Sequence, residues 1–251
     1  MNKLTAFFLQ FQEYAQLAIR FFAALKHASA YRHELRRELF AIGAQSLPVV
    51  ILGGTFIGTI LAIETGHRYE AFGAKTMVGR TVALGMVREL GPLVAGLLLS
   101  ARTGAKNASE IGAMKLSEQV DALRAIGSNP VSVLVVPRVL ASVIMFLPLT
   151  LFADAGGMLG GLIVADASLH IDRAFFWTSA IYGLQMKDLL VGFLKPFFFG
   201  FFIGTISCHF GLSTTGGTQG LGRATINAVV ISSLVVLLVD FIFTKVVWEV
   251  L

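Results

Sequence analysis

Arg88 and Glu89 stand side by side at the head of an apolar run, in the stretch MVRELGPLVAGLLLSARTGAKNASEIGAMKLSEQVDALRAI over residues 86–126. A guanidinium in that position has a planar donor fork suited to a carboxylate on another element or to a lipid phosphate. A buried ion pair that fixes helix register is an equally good use of it. Neighbours on a helix point about 100° apart, so each of the two is expected to bond elsewhere rather than to the other. Asp154, Lys195 and Asp240 are further charges set inside apolar runs. Ionisable groups at membrane depth are costly unless they pair or line a polar cavity. Arg88, Glu89, Asp154 and Asp240 are therefore read as a candidate buried charge network. The same logic lets Glu89, Asp154, Lys195 and Asp240 serve as proton carriers. A second pattern follows the apolar run, where Ile111, Met114, Val120, Leu123 and Ile126 recur among charges over residues 108–126. Such a helix suits a membrane surface or a partner's groove, and a solvated surface helix would carry the same stripe.

Other chemistries are missing from the chain. Cys208 is the single cysteine, so an internal disulfide and a cysteine zinc cluster are both excluded. There is no G-x-x-x-x-G-K-[ST] loop, and the glycine-rich GGTQGLG of Gly216 to Gly222 has no lysine to hold a nucleotide, so it is read as a flexible turn. Glu64 and His67 lie one turn apart without a second histidine-carboxylate set nearby in sequence, which predicts a surface pair and no metal site. His67, His170 and His209 are dispersed, which argues against an intramembrane enzyme, and no catalytic residue is expected.

The elements that position these groups are membrane spans. Hydrophobic residues make up 55% of the chain, charged residues only 14%, and the mean hydropathy is +0.76. A soluble core of this size does not need so much apolar surface. Runs of about 20 apolar residues mark spans, and these fall at 41–63, 82–101, 131–165, 189–210 and 226–247 in one integral all-α domain over 1–251. A continuous helix over 131–165 would reach about 52 Å, beyond a hydrocarbon core of about 30 Å. It is thus one tilted, protruding helix interrupted near Pro148, or a re-entrant pair. Before the first span, Leu4, Phe7, Phe8, Phe11, Tyr14, Ala18, Phe22 and Leu25 recur at three- and four-residue intervals. Residues 1–30 are read as an amphipathic helix lying in the membrane interface, with packing against the spans as the alternative. They lack the compact apolar region and cleavage site of a secretory signal.

With the N-terminus inside, Lys3, Arg20, Lys26, Arg32, Arg36, Arg37, Arg102, Lys106, Lys115, Arg124 and Arg223 are cytoplasmic, and Arg68, Lys75, Arg80, Arg173 and Lys187 fall outside. The excess of positive charge belongs on the cytoplasmic side. This predicts a multi-pass protein with a cytoplasmic N-terminus, and splitting the third run into two spans would change the balance by one charge. Small residues four apart, Gly54 with Gly58, Gly156 with Gly160, Gly157 with Gly161 and Gly200 with Gly204, let helix backbones approach closely in lipid, within one chain or between chains.

The run ELGPLVAGLLLSARTGAKNASEIGAMKLSEQVDAL resembles the signature of the MlaE (YrbE-type) permeases, membrane subunits of ABC-type lipid transporters that work with MCE-domain proteins. GLGRATINAVVISSLVVLLVDFIFT, with Arg223 and Asp240, is similar to the family's C-terminal span, and the likeness extends over roughly 38–244. The resemblance implies an MlaE-type permease fold with five spans and an N-terminal interfacial helix. It implies a homodimer in the bacterial inner membrane with two cytoplasmic ATPase subunits, a periplasmic MCE hexamer and a small STAS-domain regulator. The cargo implied is phospholipid moved to maintain outer-membrane lipid asymmetry. No cofactor is expected in this chain, because ATP and magnesium would be bound by the ATPase, and no nucleic-acid role is expected. Glu110, Met114, Glu118, Gln119, Asp121 and Leu123 would belong to the coupling helix that inserts into the ATPase. Leu61, Tyr69, Phe72, Leu234 and Leu238, with Arg88, would line the lipid cavity. An ion-coupled secondary transporter of a hydrophobic substrate is the alternative reading.

Overall fold

The computed structural model describes residues 3–26 and 31–250, with side chains given for Phe8, 12–26, 31–247 and Glu249. Among the described residues every regular element is helical: α1 (Lys3–Ala24), α2 (Arg32–Ile42), α3 (Leu47–Ala71), α4 (Val78–Gly85), α5 (Gly91–Leu99), α6 (Ala105–Leu116), α7 (Gln119–Ala125), α8 (Val136–Ala167), α9 (Arg173–Gly183), α10 (Met186–Leu212) and α11 (Gly217–Val250). Among the described residues, five helical segments are long and apolar enough to cross a membrane: Arg32–Ala71, Lys75–Leu116, Val131–Ala167, Met186–Leu212 and Gly217–Val247. The third runs unbroken through Pro148. In lipid a broken backbone finds no water to bond with, and this holds a chain helical across an internal proline.

Widened π-helical turns occupy Met86–Leu90, Ser100–Gly104 and Val131–Val135. Pro92 and Pro137 each follow such a turn by two residues. A proline ring crowds the carbonyl four residues back and offers no N–H, and the carbonyls in question, those of Arg88 and Val133, lie inside the widened turns. The first of these turns thus sets Arg88 and Glu89 off the regular helical register.

Two stretches differ from the sequence reading. The run 108–126 is not one helix but α6 and α7 separated at Ser117 and Glu118. Ser117 Oγ donates to the Ala113 carbonyl at 2.9 Å, and Glu118 takes a left-handed conformation with φ 58°. A left-handed residue just past a helix end is the usual way to terminate it. The glycine loop is also shorter than expected. Gly216 and Gly217 turn the chain with φ of 83° and 65°, and Gly217 already opens α11, so Gly220 and Gly222 are helical.

The chain's contacts fall into two compact units, Met1–Ala44 with Ser100–Met145 and Gly200–Val235, and Gln45–Leu99 with Phe146–Phe199 and Val236–Leu251. The first has a core that includes Leu17, Phe21, Ile111, Val135, Val139 and Cys208. The second is built on Val78, Val82, Met86, Met158, Leu169 and Phe176.

In the first unit, α1 buries Leu17, Phe21 and Ala24, while Phe8, Ile19 and Phe22 stay exposed on the far side of the helix. Gln12, Glu13, Gln16 and Arg20 occupy the remaining arc. The helix therefore presents one packed face, an exposed apolar face roughly opposite it, and a polar arc between the two. Packing against the rest of the unit, the alternative expected for this helix, is thus what the contacts show. Tyr14 adds a hydroxyl contact of 2.9 Å with Thr205 Oγ1. Leu4, Phe7 and Phe11 lie outside the described side chains.

In the second unit the small-residue pairs pack α3 on the later part of α8. A Cβ on Gly54 would stand 2.1 Å from the Ala153 carbonyl oxygen, and one on Gly58 would stand 2.0 Å from that of Gly157. Only hydrogen fits there, which is the close backbone approach that small residues permit in lipid. Gly200 similarly meets the Ser142 carbonyl in the first unit, at 2.7 Å from a built Cβ.

Candidate functional site: two charge clusters and an exposed elbow

Lys195 is completely buried in the second unit, within the phenylalanine-rich part of α10. Removing an ammonium from water costs several kcal/mol even after relaxation, unless each of its three donors is met. Two oxygens accept hydrogen bonds from it and a third stands at ion-pair distance. Its Nζ lies 2.6 Å from Glu89 Oε2, 2.8 Å from Asp240 Oδ1 as an ion pair, and 3.2 Å from Thr244 Oγ1. Thr244 in turn donates to Glu89 Oε2 at 2.9 Å, which closes a ring of contacts. Arg88 extends it, with Nη1 3.3 Å from Asp188 Oδ1 and Nε 3.4 Å from Glu89 Oε1. With all five ionised, two cations face three carboxylates, leaving one net negative charge. A lipid phosphate reaching Arg88 would have to compete with Asp188. Asp188 also accepts from the Gln185 N–H at 3.0 Å, which holds its carboxylate in place at the start of α10.

Asp154 is apart from this ring. It is buried on α8 against Gly91, and its Oδ1 has no hydrogen-bond partner among the described residues. Of the four residues read as a network, the structure joins Arg88, Glu89 and Asp240 through Lys195, and leaves Asp154 outside. Asp188 and Thr244 were not singled out from the sequence. An aspartate at a helix start and a threonine near a span's end are too common there to signal a partner.

A second cluster sits in the first unit, where Lys106 Nζ is 2.6 Å from Glu38 Oε2 and Arg138 Nη2 is 3.0 Å from Glu110 Oε2. Arg138 also lies 3.5 Å from Glu38, and Lys106 3.7 Å from Glu110. Glu38 and Arg138 are buried. Two cations balance two carboxylates and tie α2, α6 and α8 together. Glu110 thus spends its carboxylate on an internal pair, although the resemblance puts it on the ATPase-facing helix. Glu38 and Arg138 escaped sequence analysis because their partners lie far away along the chain.

The elbow between α6 and α7 is the exposed part of this region. Val120 is buried and anchors α7, whereas Ser117, Glu118 and Gln119 are exposed and Ile126 is 75% exposed. Met114, Asp121 and Leu123 are half-buried. Asp121 bridges the elbow, 2.8 Å from Lys115 Nζ and 2.8 Å from Arg124 Nη1. The hydrogen bond from Lys115, with the nearby Lys115 and Arg124 charges, holds the Asp121 carboxyl below its ordinary range. A depressed folded pKa contributes order that is fully present above the unfolded value of about 3.9 and is lost as pH falls through the folded one. Amide hydrogen exchange across 117–125 should therefore stay flat from neutral pH to about 4 once corrected for its intrinsic pH dependence, and rise below that. Asp121→Asn should remove the step.

The five residues expected along the lipid cavity do not share one environment. Leu61 and Tyr69 pack partly buried on the core of the second unit, and Tyr69 meets Thr81 Oγ1 at 2.9 Å. Phe72, Leu234 and Leu238 are exposed, at 84%, 56% and 57%. Bare apolar side chains on a span are what lipid contact or a partner helix requires.

The comparisons with known proteins point to a membrane permease. The family model "Permease MlaE" matches residues 35–246. A probable ABC transporter permease protein of Rickettsia typhi is 38% identical over 220 residues, 88% of this chain and 85% of that one. Another, from Synechocystis, is 33% identical over 210 residues, covering 84% and 80%. The Arabidopsis thaliana protein TRIGALACTOSYLDIACYLGLYCEROL 1, chloroplastic, is 34% identical over 221 residues, covering 88% of this chain and 63% of its own. An all-helical chain with five membrane-length segments, buried charges knit between them, and a match over most of its length belongs to the MlaE permease family, as the multi-pass membrane subunit of an ABC transporter with an ATPase as partner.

Proposed function

We propose that this permease moves glycerophospholipid between the inner membrane and a periplasmic MCE-domain hexamer, maintaining outer-membrane lipid asymmetry. The observation that carries the reading is the family match, joined by a relative whose name is that of a glycerolipid. In this reading two copies form the translocation unit with two ATPase subunits, which bind the ATP and magnesium, and a small STAS-domain protein regulates them. The N-terminus is cytoplasmic, so the elbow of α6 and α7 faces the ATPase. Its exposed Glu118 and Gln119 make the contact, while Val120 and the Glu38–Lys106–Arg138–Glu110 cluster pass the displacement into the spans as a rigid body. Phe72, Leu234 and Leu238 contribute apolar surface for acyl chains.

The deciding experiment is transfer of a fluorescent phospholipid from proteoliposomes holding the permease and ATPase to a soluble MCE protein. ATP-dependent transfer supports the reading. Transfer that needs a proton gradient and ignores ATP would instead favour an ion-coupled secondary transporter, for which the buried Lys195 with the half-buried Glu89 and Asp240 is the structural motive. Reversing the charge with Glu118→Arg should weaken ATPase co-purification by about tenfold or more, since a like-charge clash at an interface costs several kcal/mol. Undiminished co-purification would remove Glu118 from the interface.

A further inference from the structure

A cleft of about 600 Å³ opens in the first unit where the polar face of α1 passes the turn between α7 and α8. Its walls carry Glu13, Gln16 and Arg20 from α1, Arg124 from the end of α7, Asn129 from the turn, and His209 from α10. None of the roles given above uses this constellation.

The walls are built for an anion with several acceptor atoms. Arg20 has no carboxylate within ion-pair distance among the described residues. Arg124 gives one N–H to Asp121 and keeps the rest of its five donors. The Asn129 side-chain Oδ1 accepts from the Val131 N–H at 3.0 Å, which leaves the side-chain Nδ2 as a donor held in fixed orientation. His209 is only 8% exposed, its ring set edge-on to Tyr14 at 5.9 Å, and its nitrogens have no hydrogen-bond partner among the described residues. The ring nitrogens are not sealed from solvent, so the imidazole offers the cleft a hydrogen-bonding edge held in place by the packing around it. The turn also begins a helical segment of 37 residues, whose N-terminal end favours negative charge. A phosphate group has the acceptor oxygens to meet two guanidinium forks, an amide and an imidazole together.

Glu13 is the one carboxylate on these walls. A simple phosphate would find it repulsive, whereas a ligand with a cation a few bonds from its phosphate would find both halves matched. We infer that this cleft binds a zwitterionic phosphoester of the phosphoethanolamine class, with Arg20, Arg124, Asn129 and His209 on the phosphate and Glu13 on the ammonium. The ligand comes either as a lipid headgroup, reached from the membrane surface along α1, or as a free water-soluble phosphoester. Occupancy would pin α1 to the α7 end of the elbow. The inference rests on the site alone and holds whatever cargo the permease carries.

The test is binding to the full purified chain in neutral detergent, by calorimetry with O-phosphoethanolamine and by native mass spectrometry with short-chain phosphatidylethanolamine. One of the two should bind, and their comparison assigns the source. The double variant R20Q/R124Q should bind at least about tenfold more weakly, because each lost contact is a charge-assisted bond. The charge-matched control R102Q/R223Q, at exposed arginines outside the cleft, should bind as the wild type does. E13Q should weaken phosphoethanolamine while leaving or improving inorganic phosphate. R20Q alone serves should the double variant unfold. Equal loss in the control, no loss in R20Q, or tighter phosphoethanolamine binding by E13Q would each overturn the assignment, as would failure of both ligands to bind the wild type.

Discussion

Lys195→Met should cost the chain roughly 3–5 kcal/mol of stability, the range for removing one partner of a buried ion pair. Methionine fills much of the same space, so the loss comes from charge. Glu89 and Asp240 would be left facing each other and Thr244 in a site built around an ammonium now absent. The readout is the thermal unfolding midpoint of the detergent-purified chain, together with its yield from the membrane. A triple variant, Glu89→Gln with Lys195→Met and Asp240→Asn, should recover a large part of the loss, because neutral side chains remove the repulsion that the single substitution creates. If Lys195→Met unfolds within a degree or two of the wild type, the ring of charges does not hold the second unit together.

The second large effect belongs to a hydrogen atom. Gly58→Ala places a methyl carbon 2.0 Å from the Gly157 carbonyl oxygen, and backbone, unlike a flexible side chain, has nowhere to move except by parting α3 from α8. Overpacking costs about 1–3 kcal/mol in cores with room to relax, and this site has little. Gly58→Val should be worse, with much of the protein lost to degradation before purification. Gly222→Ala is the control, since a Cβ there meets nothing within 4 Å, and it should match the wild type or exceed it slightly by favouring the helix. Equal stability of Gly58→Ala and Gly222→Ala would mean that the α3–α8 contact is looser than the backbone positions require.

These two sites divide the fold between what can and cannot be read in one dimension. The amino-acid sequence by itself determined the five apolar spans, because length and hydropathy are local sums that lipid enforces residue by residue. It also determined the amphipathic character of α1, the small residues at which α3 and α8 meet, and the membership of the family through one long central motif. Lys195 was visible too, as a charge where lipid forbids one. Only the tertiary structure decided which carboxylates answer it. Glu89, Asp240 and Thr244 lie 106, 45 and 49 residues from Lys195 along the chain, and no periodicity encodes such a match. The same holds for Glu38 with Lys106 and for Arg88 with Asp188. Asp154 looked the same as Asp240 in sequence, yet packs against Gly91 and outside the ring. The break at Glu118 was hidden because an amphipathic stripe continues across it while a single left-handed residue redirects the backbone. Spans follow from sums over neighbouring residues, whereas charge partners and helix breaks depend on where distant residues arrive, and that is set only when the helices pack.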